Sequence, residues 1–129
     1  MDFHTLFPDS KPVIGMVHLL PLPGSPGWGG SMDAVLERAL ADARAWAEAG
    51  TSALLVENYG DVPFHPERVE PHTVAAMALA VAAVRETTAL PTGVNVLRND
   101  ARAALGIAAA TGARFIRVNV HTGAMVTDQ

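Results

Sequence analysis

Side chains that bind anions or move protons gather at four places in this 129-residue chain. They are His18; Glu57 with Asn58; Asn95 with Arg98, Asn99 and Asp100; and Arg117 with Asn119 and His121. Glu57 ends an apolar run, where a carboxylate can act as a general acid or base. It can equally pair with Arg98 or Arg117. Those two arginines can clamp a carboxylate or phosphate bidentately, or balance a buried carboxylate instead. His18 and His121 can exchange protons or ligate a metal. They form neither an HxH nor an HExxH pair, so no metal site is assigned. Asn99 and Asp100 sit where a helix cap is needed. The candidate catalytic residues are therefore Glu57 and His121. The candidate substrate-binding residues are His18, Asn58, Asn95, Arg98, Arg117 and Asn119.

The elements that must position them follow from an alternation of short β-branched runs and longer alanine-rich runs. Pro12 to Leu19 reads as a strand and leads into a Gly/Pro-rich loop, Pro21 to Gly30. Ser31 is a helix N-cap with Asp33 in the first turn. Apolar residues then recur at three- and four-residue steps as far as Ala49, and Gly50 closes the helix. Ala53 to Glu57 is a second strand, followed by a loop broken by Pro63, Pro66 and Pro71. A helix over His72 to Thr88, a strand over Gly93 to Leu97, a helix from Asp100 to Gly112 and a strand over Arg114 to Val120 complete the order. This is (βα)₃β, and crossovers of this length connect parallel strands.

Two α/β architectures fit one domain over residues 1–129: the N-terminal half of a TIM (βα)₈ barrel, or a small open parallel sheet. Strand polarity favours the half-barrel. The last strand places Phe115, Arg117, Asn119 and His121 on one side and Ile116, Val118 and Val120 on the other. A single apolar face suits one helix layer, whereas a doubly wound strand is apolar on both sides. In a parallel βα fold the C-terminal strand ends form the ligand site, and all four polar groups lie there. Glu57, Asn95, Arg117, Asn119 and His121 are expected on one concave side, with His18 at the rim. The Pro21–Gly30 loop is either a lid with Trp28 over a ligand or a passive loop. It lacks the P-loop ending and the dinucleotide GxGxxG, so no cofactor is assigned.

Composition bounds the partners. Apolar residues make up 50% of the chain and charged residues 17%, and mean hydropathy is +0.23, which suits a packed domain rather than a disordered one. The net charge is −4, which argues against nucleic acid, whose binders need a basic face. There is no cysteine, which excludes disulfides and thiolate chemistry. No apolar run reaches membrane-span length, and no signal peptide is visible at Met1, so a cytoplasmic location is expected. The alanine and arginine content suggests a GC-rich bacterial source.

Four segments, KPVIGMVHLLPLPGSP from Lys11, VENYGDVPF from Val56, GVNVLRND from Gly93 and FIRVNVHTGAMVTDQ from Phe115, closely resemble the BtpA/SgcQ family. The resemblance implies a TIM barrel of the ribulose-phosphate-binding kind. It implies either a part in photosystem I or membrane biogenesis, with peripheral association at a membrane, or a nucleosidase or sugar-pathway activity. A non-catalytic assembly scaffold is the rival to both. The expected ligand is a small polar or phosphorylated metabolite. Barrels of this kind build their phosphate site after strands seven and eight. The chain is therefore expected to be part of a longer barrel, or to need an oligomeric partner or second half-barrel.

Overall fold

The computed structural model describes residues 2–126. A short helix, α1 (Phe3–Leu6), precedes β1 (Ile14–His18), α2 (Met32–Glu48), β2 (Ala53–Glu57), α3 (Pro71–Thr87), β3 (Thr92–Asn95), α4 (Ala101–Thr111) and β4 (Phe115–Ile116). The boundaries follow local chemistry. Ser31 Oγ accepts from the Ala34 N–H to start α2, and Asp100 Oδ1 accepts from the Ala103 N–H to start α4. Pro71 occupies the first turn of α3, where a missing N–H costs nothing. Gly50 and Gly112 follow α2 and α4 at φ +81° and +76°, a backbone that side chains disfavour.

All four strands are parallel and stand in chain order, β1-β2-β3-β4. Successive right-handed crossovers that always step the same way must place every helix on the same face. A doubly wound sheet reverses its strand order and covers both faces. Here Val17, Leu54, Val56, Val94 and Val96 join one core with Val35, Ala39 and Ala43 of α2, Met77, Ala80, Val81 and Val84 of α3, and Ala104 and Ile107 of α4. The fold is thus α/β with the half-barrel arrangement. Among the described residues it is an open sheet under a single helix layer.

The opposite face is layered by the strand register. Met16, Leu55, Gly93 and Phe115 stand side by side. Gly93 is where the Phe115 ring lies down, since a Cβ there would sit 2.3 Å from Phe115 Cε2. Phe7 packs against Phe115 at 5.7 Å between ring centroids, with Phe3 behind it at 5.0 Å. Two residues further along each strand, His18, Glu57 and Asn95 are in register. On the helix face Gly15 lies under Trp46, whose indole Nε1 donates to the Met16 carbonyl of edge strand β1 at 2.9 Å.

The fourth strand differs from expectation. The ladder was expected over Arg114 to Val120 but covers Phe115–Ile116 alone, with one further bond from the Arg117 N–H to the Val94 carbonyl at 3.1 Å. Beyond it the chain is held by a side chain. Asn99 Oδ1 accepts from the Val120 N–H at 2.9 Å, and Asn99 Nδ2 donates to the Val120 carbonyl at 3.1 Å. Strand alternation therefore does not extend to His121. The α1 turn, held by Asp2 accepting from Thr5, was not anticipated. Residues 127–129, which close the last resembling segment, lie outside the described residues.

Candidate functional site

Glu57 is the hub of the C-terminal strand ends. Leu54 and Val56 face the helices, so period-two alternation turns Leu55 and Glu57 to the open face. The Glu57 side chain is 3% exposed, and both oxygens are engaged. Arg117 Nη1 and Asn95 Nδ2 donate to Oε1 at 2.8 and 2.9 Å. His18 Nε2 lies 3.2 Å from Oε2. Asn95 Nδ2 also donates to Asn119 Oδ1 at 3.2 Å. The carboxylate fixes the orientation of the Asn95 amide, because only its NH₂ can face that oxygen. Asn95 Oδ1 is then buried with no partner among the described residues. Five of the eight candidate residues, His18, Glu57, Asn95, Arg117 and Asn119, thus form one network drawn from all four strand ends.

The other three lie elsewhere. Asn58 is 1% exposed and spent on the fold. Its Oδ1 accepts from the Leu97 N–H at 2.7 Å, and its Nδ2 donates to the Leu97 carbonyl and to Asp61 Oδ2. Arg98 stands beside the network, with its guanidinium carbon 5.0 Å above the Phe64 ring. His121 is exposed and shares no hydrogen bond with the network among the described residues. The reason is the short β4 ladder.

Two residues the sequence reading did not select shape the site. Tyr59 stacks on His18 at 4.3 Å with planes 11° apart, and Phe64 follows at 6.3 Å. Their signal was scarcity: aromatic residues are 5% of the chain, and these two fall in one strand-end loop. Glu57, Tyr59, Phe64, Arg98, Arg117 and Asn119 line a cavity of about 320 Å³, within the range of small-molecule sites. A larger depression of about 470 Å³ lies between the starts of α3 and α4. Its carboxylate, Asp100, already accepts from the Ala103 and Val69 N–H groups, and none of the network residues lines it.

Neighbouring loops are clamped rather than hinged. Asp61 Oδ1 accepts from the Leu22 N–H at 2.8 Å. Burial pushes the Asp61 carboxyl above its ordinary value, opposed by its bonds from Leu22 and Asn58 and by the nearby His65 and His72. Gly60 lies so close to the first loop that a Cβ would meet Pro21 N at 2.6 Å and the Leu19 carbonyl at 2.7 Å. Trp28, in the first loop, is partly buried and packs against the core.

Parallel strands in chain order, one helix layer and polar residues converging at the strand C-termini define the half-barrel class of α/β proteins. Within that class the chain belongs to the BtpA family, which residues 9–129 match. It is 53% identical to the Photosystem I biogenesis protein BtpA of Synechocystis sp., over 100% of this chain and 45% of that protein. It is 54% identical to an uncharacterized protein of the archaeon Thermococcus kodakarensis, over 100% of this chain and 47% of that one. The sgc region protein SgcQ of Escherichia coli is 38% identical over 92% of this chain and 44% of its own length. The chain therefore spans about half the length of the curated relatives it matches. No solved structure matches it significantly. Among the described residues, no helix is long and apolar enough to cross a membrane.

Proposed function

We propose that the strand-end network binds a small polar or phosphorylated metabolite. The observation that carries this is the buried Glu57–Asn95 pair, reached from the half-exposed mouth by Arg117 and His18. Glu57 is 3% exposed, with Asn95, Arg117 and His18 brought to it from three other strand ends, an arrangement that stability alone does not call for. Replacing such a group by apolar residues is often neutral or stabilising. Arg117 spends one nitrogen on Glu57 and remains 54% exposed, so its other donors are free for an anionic group. Arg98, Tyr59 and Phe64 supply the second wall, and an aromatic face suits a sugar ring or a planar group.

A role in photosystem I or membrane biogenesis is the second reading. It is favoured by the identity to the Synechocystis protein, in which the fold would act as a docking surface. Equal identity to an archaeal relative favours the metabolite reading, because a pocket chemistry is more portable than one assembly contact. The nucleosidase or sugar-pathway alternative keeps the same mouth and changes only the ligand.

The test is a calorimetric and thermal-shift screen of the protein against sugar phosphates, nucleosides and inorganic phosphate. A ligand that binds wild type and is lost in Arg117→Gln, with the circular dichroism spectrum retained, is the expected result. Binding that survives this substitution, or no binding by any compound, overturns the proposal.

A further inference from the structure

The mouth contains a second carboxylate-linked group that the proposed function leaves unused. Glu57 lines the cavity but is only 3% exposed, and most of its acceptor capacity is spent: Oε1 takes two donors and Oε2 lies 3.2 Å from His18. His18 is placed differently. It stands directly beside Glu57 in the β1–β2 register, on the same face. Its side chain is 44% exposed.

We infer that His18 is the proton-transfer residue of this mouth, that Glu57 positions it, and that Tyr59 holds its ring plane; this rests on the metabolite-binding reading above. An ionised carboxylate oxygen can only accept, so a hydrogen bond across the 3.2 Å between His18 Nε2 and Glu57 Oε2 needs the proton on Nε2. In the neutral ring the lone pair then lies on Nδ1, the nitrogen that Glu57 does not occupy. A second-residue carboxylate fixing tautomer and orientation is a recurrent way to prepare an imidazole as a base. Tyr59 adds what a hydrogen bond cannot: a parallel plate at 4.3 Å and 11° that opposes rotation of the ring.

The step is a proton transfer. The Nδ1 lone pair takes a proton from a substrate O–H or from a C–H beside a carbonyl. The bonding electrons stay on the substrate, and the ring becomes imidazolium. Its Nε2–H remains on Glu57, whose negative charge offsets the new positive one. The half-exposed Arg117 faces the charge left on the substrate, and the proton returns to product or water. The substrate class is a small anion carrying a hydroxyl or an acidic C–H.

Long-range ¹H–¹⁵N spectra of the histidine rings test this in the wild-type protein, without any variant that has to fold. Neutral His18 should carry its proton on Nε2. A ring protonated on Nδ1 overturns the inference. In Glu57→Gln the tautomer should shift toward a mixture, with Glu57→Asp restoring part of the Nε2–H form; an unchanged tautomer in Glu57→Gln also overturns it. Addition of the compound found in the screen should move the Nδ1 resonance. If the compound binds but leaves Nδ1 unmoved, His18 is not the proton-transfer group. If no compound binds while the tautomer is as stated, the metabolite-binding reading fails and only the His18–Glu57 pairing stands. Once a reaction is in hand, His18→Gln should lower kcat about 100- to 10,000-fold, the range of a general base.

Discussion

Glu57→Gln keeps the shape of the hub and removes its charge. Gln offers one oxygen and one NH₂ where Glu57 offers two acceptors to Arg117, Asn95 and His18 at 2.8, 2.9 and 3.2 Å. If the oxygen stays with Arg117 and Asn95, the NH₂ meets His18 Nε2, which must give up its proton to accept. If the amide turns over, the NH₂ faces two donors, which is worse. In the better case the Asn95 bond becomes neutral and the Arg117 bond loses its anionic partner, each losing about 1 kcal/mol. Reversing the third contact adds a similar amount. Two effects reduce the sum. Arg117 and His18 are 54% and 44% exposed and regain water, and a neutral Gln no longer carries the desolvation cost of a buried carboxylate. A net loss of about 1–3 kcal/mol is expected, below the ~3–5 kcal/mol for breaking a fully buried pair. At about 4 °C per kcal/mol for a chain of this size, Tm falls by roughly 4–12 °C. Urea denaturation at constant m-value measures it. The double variant with Arg117→Gln should return a coupling of about 1–2 kcal/mol. A Glu57→Gln protein as stable as wild type, or a coupling of zero, would refute the view that Arg117 and His18 hold this carboxylate in place.

Four further outcomes are expected. Asp100→Ala removes the cap of α4 and orphans the buried Val69 N–H, so it should cost about 2–4 kcal/mol in denaturant, with Asp100→Asn recovering part. Gly60→Ala drives a Cβ into backbone atoms at 2.6 and 2.7 Å and should cost about 3 kcal/mol, more than Gly93→Ala, whose obstacle is the movable Phe115 ring; the reverse order in paired melts would contradict the close approach. Burial raises the Asp61 carboxyl above 3.8, so its proton is held more tightly when folded; that contribution is complete below 3.8 and is lost as pH rises through the raised value. Asp61→Asn should therefore gain on wild type as pH increases through this window, and a pH-independent difference in urea midpoints would count against it. Trp46→Phe uncovers the Met16 carbonyl on edge strand β1 and should increase self-association in light scattering; unchanged light scattering would show that the indole bond does not protect that edge.

The elements were legible wherever local chemistry sets them. Ser31, Asp100, Gly50 and Gly112 mark ends that the backbone needs whatever surrounds them. Ala53–Glu57 matched to the residue because its neighbours are turn formers. The alternation of Val94, Asn95 and Val96 predicted which side faces the helices, since that depends on the period of two alone. The failures were non-local. Nothing near His121 announces that the ladder stops at Ile116, or that Val120 is held instead by Asn99, 21 residues before it. Asn58 carries the same side chain as Asn95, yet one secures a loop and the other joins the network. The difference is which strand end lies opposite, and a single sequence does not contain it. Tyr59 was missed because aromatic stacking has no spacing rule.

The chain-order sheet also sets a timetable during synthesis. β2 begins 39 residues after β1 (53 − 14), β3 begins 39 after β2 (92 − 53), and β4 begins 23 after β3 (115 − 92). Each strand therefore meets its pairing edge already made, and none waits for a distant partner. At about 5–20 residues per second, the first two intervals take about 2–8 s, long compared with helix or hairpin formation. The ribosome thus delivers this sheet one βα unit at a time, and the Glu57 network closes only after Arg117 and then Asn119 have left the exit tunnel.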